Sequence, residues 1–202
     1  MATRLVVMIS GKGSNAMALV DALRLRREEP FVEVVAIGAD TDAPGLWGAS
    51  ERAIPTFVVE PRTAESREAW ANRLAEEIDI FRPDYIVLSG FMKLLPQTFV
   101  ARYSPRIINT HPSYLPEFPG AHAVRDALRA GVGRTGASVI VVDDGVDTGP
   151  LLAQRRVEVV QGDTEESLHE RIKVVERELL LEVVCALGRE EPVVDQGNGE
   201  SR

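Results

Sequence analysis

Leu5-Val-Val-Met-Ile-Ser-Gly-Lys-Gly-Ser-Asn-Ala-Met-Ala-Leu-Val-Asp-Ala-Leu23 decides the fold. Its first five residues form an unbroken apolar run, as in a strand buried on both faces. Gly11 to Asn15 is a glycine-rich turn, after which Met17, Leu19, Val20, Leu23 and Leu25 read as one side of an amphipathic helix. A helix N-terminus directly after such a turn offers unpaired N–H groups and partial positive charge to a phosphate. Lys12 adds charge, and Ser14 and Asn15 can donate side-chain bonds. The loop is neither a Walker A sequence nor GxGxxG, since Ala16 breaks the glycine spacing. One small anion nest suits a monophosphate better than a dinucleotide. The competing reading is a tight turn in which Ser or Asn caps the helix.

The same alternation continues downstream. Val32–Ile37 is a second strand, Pro44–Ala53 a helix, Thr56–Val59 a short strand and Ser66–Ile80 a helix with Trp70, Leu74 and Ile78 at helical spacing. Asp84–Leu88 and Ile107–Thr110 are further strands. Strand–helix alternation with short turns argues an α/β fold with a doubly wound, mostly parallel sheet. After Gly120 the pattern changes. Ala123–Ala130 is a helix, and Ala137–Val142 and Leu151–Val159 are strands joined by a polar turn, so they should pair antiparallel. Asp163 reads as the N-cap of a long C-terminal helix, with Glu166 completing a capping box. Leu168, Ile172, Val175, Leu179 and Leu180 form its buried stripe. Residues 1–189 are expected to be one domain and 190–202 a frayed polar tail.

Composition narrows the function. The chain has 202 residues, 45% of them hydrophobic, enough for one good core. No apolar run approaches the roughly 20 residues that cross a bilayer, and the N-terminal run is too short for a signal peptide. A cytoplasmic protein without a membrane role is expected. A net charge of −8 argues against nonspecific nucleic-acid binding. The single cysteine, Cys185, fits core packing. With three histidines and no Cys/His cluster, a zinc site is not expected, and no metal is assigned.

Asn109-Thr-His-Pro-Ser-Tyr-Leu-Pro-Glu-Phe-Pro-Gly120 carries the chemistry. Alternation along a strand sends Asn109 and His111 to the same face. They stand at a carboxyl end, where open α/β sheets bind ligands, and the prolines stiffen the loop that follows. His122 reads as structural or capping, and His169 as part of a solvated face. The turn Asp143-Asp-Gly-Val-Asp147-Thr-Gly-Pro150 lacks an EF-hand pattern. Hairpin geometry accounts for Asp143 and Asp144, whereas Asp147 is the better catalytic candidate. A carboxylate beside an imidazole stabilises its cation. The residues alone do not place Asp147 beside His111.

Ser10-Gly-Lys-Gly-Ser-Asn15, Ser89-Gly-Phe-Met-Lys-Leu-Leu95, Asn109 to Pro116 with Pro119-Gly120, and Asp144-Gly-Val-Asp-Thr-Gly-Pro150 occur in that order. Together, over roughly residues 4 to 188, they resemble the phosphoribosylglycinamide formyltransferase family of folate-dependent enzymes. The resemblance implies catalysis by Asn109, His111 and Asp147, and a ribonucleotide site at Gly13, Ser14, Asn15 and Glu176. It implies a folate site at Arg67, Leu88, Phe91, Met92, Lys93, Leu94, Leu95, Asn109, Val142, Asp143, Asp144 and Asp147. Lys93 stands where relatives often have arginine, which removes a bidentate grip on carboxylate. Ile140 replaces a histidine of some relatives, and Leu115-Pro116 is a candidate cis peptide.

The implied reaction moves a formyl group from 10-formyltetrahydrofolate, as co-substrate, to the amine of glycinamide ribonucleotide, a step of purine synthesis. The partners are small molecules; a homodimer stays open. One rival is a 10-formyltetrahydrofolate hydrolase with the same triad, whose family carries an N-terminal regulatory domain. A first strand starting at about residue 4 leaves no room for one. Methionyl-tRNA formyltransferase would need a basic C-terminal domain, whereas this chain ends acidic. A non-enzymatic nucleotide-binding module would leave the Asn-x-His pair idle.

Overall fold

A computed structural model describes residues 2–26 and 32–190. The expected 190–202 tail falls almost wholly outside them. Two compact units, Met1–Asn109 and Thr110–Arg202, divide the chain.

In the first unit, five strands stand in the order β3-β2-β1-β4-β5. They are β1 (Thr3–Ile9), β2 (Val32–Ala39), β3 (Thr56–Val58), β4 (Tyr85–Leu88) and β5 (Ile107–His111), whose last two residues open the second unit. All four pairings are parallel. Leu5, Val6, Val7 and Ile9 are fully buried, as their continuous apolar run requires. Each such side chain contributes about 1.5–3 kcal/mol of burial free energy. The strand order runs outward from β1 through β2 to β3 and from β4 to β5 on the other side. The reversal between β1 and β4 is the place where open sheets bind ligands.

The helices of this unit are α1 (Ser14–Leu25), α2 (Gly45–Glu51), α3 (Arg67–Ile80) and α4 (Gln97–Tyr103), with a 3-10 turn at Pro61–Thr63. Helix α4 has too few turns to show a period, and the sequence pattern missed it. Ser66 caps α3 by accepting from the Ala69 amide at 3.0 Å. Trp70, Leu74 and Ile78 of α3 are buried together, and the Trp70 indole donates to the Val59 carbonyl at 2.8 Å.

The second unit carries α5 (Ala123–Ala130), β6 (Arg134–Val141), β7 (Leu151–Glu158) and α6 (Glu165–Gly188). Strands β6 and β7 pair antiparallel, with an irregularity between Val139 and Ile140. The α/β class, the mostly parallel strands, the antiparallel C-terminal addition and the long last helix all match the sequence reading. Three local expectations need correction. The N-cap of α6 is Thr164, which accepts from the Ser167 amide at 3.1 Å while Ser167 Oγ accepts from Thr164 N at 2.9 Å. Asp163 is diverted from capping because both its oxygens accept from Arg171, at 2.8 and 2.9 Å. Val175 is only partly buried, and the charged Glu176 takes the buried place beside it, 4% exposed. His169 is half-buried rather than solvated, and burial pushes its imidazole pKa down, with Lys173 adding to the shift. Cys185 is buried in the stripe as expected.

Candidate active site

His111 and Asp147 come together in the second unit. Strand β5 delivers His111, which is 4% exposed. Its Nε2 lies 2.9 Å from the Phe118 carbonyl oxygen. A carbonyl can only accept, so Nε2 must carry the proton. The other nitrogen, Nδ1, is 3.3 Å from Asp147 Oδ2. The loop therefore selects one tautomer and turns the second ring nitrogen toward the carboxylate.

Asp147 reaches this position through the turn after β6. Asp143 Oδ1 accepts from the Gly145 amide at 3.0 Å and from Thr148 Oγ1 at 2.8 Å, which folds the turn on itself. Asp147 adopts φ of 54°, a left-handed conformation that a residue with a side chain rarely takes. Gly149 passes so close to β6 that a Cβ there would lie 1.8 Å from the Val141 carbonyl oxygen. Asp147 Oδ2 also accepts from the Gly120 amide at 2.8 Å. The loop after His111 and the turn before β7 thus meet at this carboxylate. The Leu115–Pro116 peptide is cis, as is Ser104–Pro105. His122 occupies the N-cap position of α5, but its side chain makes no capping bond.

In the first unit, Asn109 stands on β5 opposite Leu88 of β4, with alternation placing its side chain on the same strand face as that of His111. Gly13 is the N-cap of α1 with φ of 63°, and no side chain caps the helix. Ser14 and Asn15 are its first two residues, so neither holds the N-cap position itself. A Cβ on Gly13 would lie 3.0 Å from Ile9 Cδ1 and 3.4 Å from Gly45 Cα, which explains the glycine.

Segment 89–95 begins where β4 ends, beside the glycine loop. Ser10 N donates to the Gly90 carbonyl at 3.2 Å, and Met92 N donates to Ser10 Oγ at 2.8 Å. Phe91 stacks on Trp70, ring centroids 6.4 Å apart. Arg67 donates to the Leu94 carbonyl, and Lys93 pairs with the buried Asp40 at 3.5 Å. Met92 and Leu94 are 70% and 62% exposed, an apolar surface at the end of a parallel strand. Leu88 is buried and Leu95 partly so. Sequence reasoning gave no role to Ser10 and Asp40, whose contacts depend on neighbouring strands, or to Phe118 and Gly120, which act through backbone atoms.

Among the described residues no helix is long and apolar enough to cross a membrane, and no cluster of three or more His, Cys, Asp or Glu could hold a metal ion.

The chain matches the formyl transferase family over residues 3–184. It is 47% identical to phosphoribosylglycinamide formyltransferase of Mycobacterium tuberculosis over 91% of this chain and 84% of that one. The Escherichia coli enzyme of the same name is 40% identical over 85% of this chain and 81% of its own length. Among solved structures, glycinamide ribonucleotide transformylase 1 from Symbiobacterium toebii superposes with a TM-score of 0.89 at 35% identity, covering 94% of this chain and 89% of that one. With its sequence and its strand pattern both in agreement, the chain belongs to the formyl transferase family.

Proposed function

We propose that the chain transfers a formyl group from 10-formyltetrahydrofolate to the amine of N1-(5-phosphoribosyl)glycinamide, a cytoplasmic step of purine biosynthesis. The observation that carries this reading is the His111–Asp147 pair, 3.3 Å apart and held by the Phe118 carbonyl and the Gly120 amide.

Attack of the amine on the formyl carbon creates an oxyanion and an over-protonated nitrogen. Preorganised donors aimed at such an oxyanion are worth about 3–4 kcal/mol each. The Asn109 amide and the protonated Nδ1 edge of His111 are those donors. Asp147 stabilises the imidazolium by charge. At 3.3 Å its contact is longer than a tight charge-assisted bond, so the in-plane Nδ1–H can be shared with a substrate oxygen placed beside the carboxylate. Asp147 and His111, with water between substrate and carboxylate, move the proton from the attacking amine to the leaving nitrogen.

Ser14 and Asn15, with the α1 N-terminus and Gly13, bind the ribonucleotide phosphate. Glu176 takes the ribose hydroxyls. The apolar Met92, Leu94, Leu95 and Leu88, with Phe91, suit a flat heterocycle, and Val142, Asp143 and Asp144 are assigned to the folate as well. Arg67 and Lys93 supply cations for the folate carboxylates. Lys93 also pairs with Asp40 at 3.5 Å.

Release of tetrahydrofolate, followed spectroscopically with and without glycinamide ribonucleotide, tests the assignment. Release that requires the ribonucleotide supports transfer. Release without it means a hydrolase, and none under either condition means a binding module.

A further inference from the structure

Arg156 on β7 takes no part in the machinery described so far. Its guanidinium donates through both arms to the Glu117 carboxylate, at 2.7 and 2.9 Å. The carbon at the centre of the same group lies over the Tyr114 ring, 3.6 Å from its centroid. A planar fork is suited to hold a carboxylate and stack on a ring at once. Tyr114 and Glu117 are the two ends of one tight turn, closed by Glu117 N donating to the Tyr114 carbonyl at 3.0 Å. Ser113 Oγ donates to the Glu117 carbonyl. Phe118, the next residue, has φ of 51° and carries the carbonyl that receives the His111 Nε2 proton. That backbone conformation costs a residue with a side chain about 1–2 kcal/mol, so its surroundings must hold it.

We propose that Arg156 is a positioning residue for His111. By clamping Glu117 and Tyr114 it keeps the Phe118 carbonyl on Nε2, fixes the imidazole tautomer and leaves Nδ1 facing Asp147. The role in turnover rests on the reading of His111 given above. Partly exposed ion pairs add at most about 1 kcal/mol to stability. Displacing a catalytic group by about 1 Å can cost about 10²-fold in rate. The weight of the clamp therefore falls on geometry.

The test uses Arg156→Ala, Arg156→Lys and Glu117→Gln, the last a mild change that guards against misfolding. Arg156→Ala and Glu117→Gln should lower kcat about tenfold with both KM values within about twofold, and should displace the acidic limb of the kcat–pH profile. Arg156→Lys, which keeps the charge without the fork, should retain more turnover than Arg156→Ala. Nitrogen-15 NMR of the imidazoles reads the tautomer directly and needs no turnover; with three histidines, His111 is assignable. Wild type should show the Nε2–H form in the neutral ring, and both Arg156→Ala and Glu117→Gln should show a mixture. An unchanged His111 tautomer in both variants overturns the proposal, whatever their activity. A lower melting temperature with kcat and tautomer intact overturns it too, because the clamp is then structural only. If wild type transfers no formyl group while the variants still scramble the tautomer, the functional reading fails and the positioning role stands.

Discussion

Asp147 Oδ2 faces His111 Nδ1 at 3.3 Å while also accepting the Gly120 amide proton at 2.8 Å. One carboxylate oxygen thus anchors a loop and faces the second ring nitrogen of His111. Nε2 is committed to the Phe118 carbonyl, so any proton gained or lost by the ring passes through Nδ1.

Asp147→Asn preserves an oxygen for Gly120 but removes the charge that favours the imidazolium. Turnover should fall about 10²–10⁴-fold, the usual range for an acid–base group. Ribonucleotide KM should barely change. Steady-state kinetics with each substrate varied in turn check this, and an equal loss in affinity would reassign Asp147 to binding.

His111→Ala removes the proposed oxyanion donor and should cost about 10²–10³-fold in kcat. Single-turnover measurements at saturating substrate isolate the chemical step. Near-normal turnover would refute the role given to His111.

Ser14→Leu and Asn15→Leu place apolar bulk at the start of α1 and should raise the ribonucleotide KM while sparing folate binding. An unchanged ribonucleotide KM would remove the phosphate site from this loop. Gly13→Ala should cost about 1–2 kcal/mol of stability from its left-handed backbone alone. Its Cβ would also press on Ile9 Cδ1 at 3.0 Å. Denaturant unfolding measures that loss.

His169 and Asp163 predict acid sensitivity. Burial holds His169 below its ordinary value of 6.5. The unfolded chain therefore binds a proton that the folded protein resists, so this stability is present above about pH 6.5 and is lost as pH falls toward the folded value. Asp163 is held well below the ordinary carboxylate range by the Arg171 fork first, and then by the Val160 amide. Its contribution is present above the unfolded value of 3.8 and is lost as pH falls further. His169→Gln should flatten the unfolding midpoint below about pH 6.5, and Asp163→Asn should flatten it below about pH 4. A pH profile identical to wild type in either variant would contradict the corresponding shift.

Long apolar runs and sustained helical spacing were readable because burial on both faces of β1 and on one face of α3 leaves a periodic trace. Helix α4 left none, since Gln97–Tyr103 spans barely two turns. The start of α6 was misread by one residue. Asp163 and Thr164 are both capable caps, and the choice was settled by Arg171, two turns into the helix, which claims the Asp163 carboxylate.

By itself the sequence determined the α/β class, the glycine turn that opens α1 and the shared face of Asn109 and His111, because these follow from backbone periodicity over a few residues. Tertiary structure alone decided that Asp147 faces His111, that the Phe118 carbonyl selects the imidazole tautomer and that Arg156 grips the intervening turn. Those contacts depend on the β6–β7 register, on the irregularity at Val139–Ile140 and on two left-handed residues. Such features are set by packing between segments distant in the chain, which no local pattern encodes.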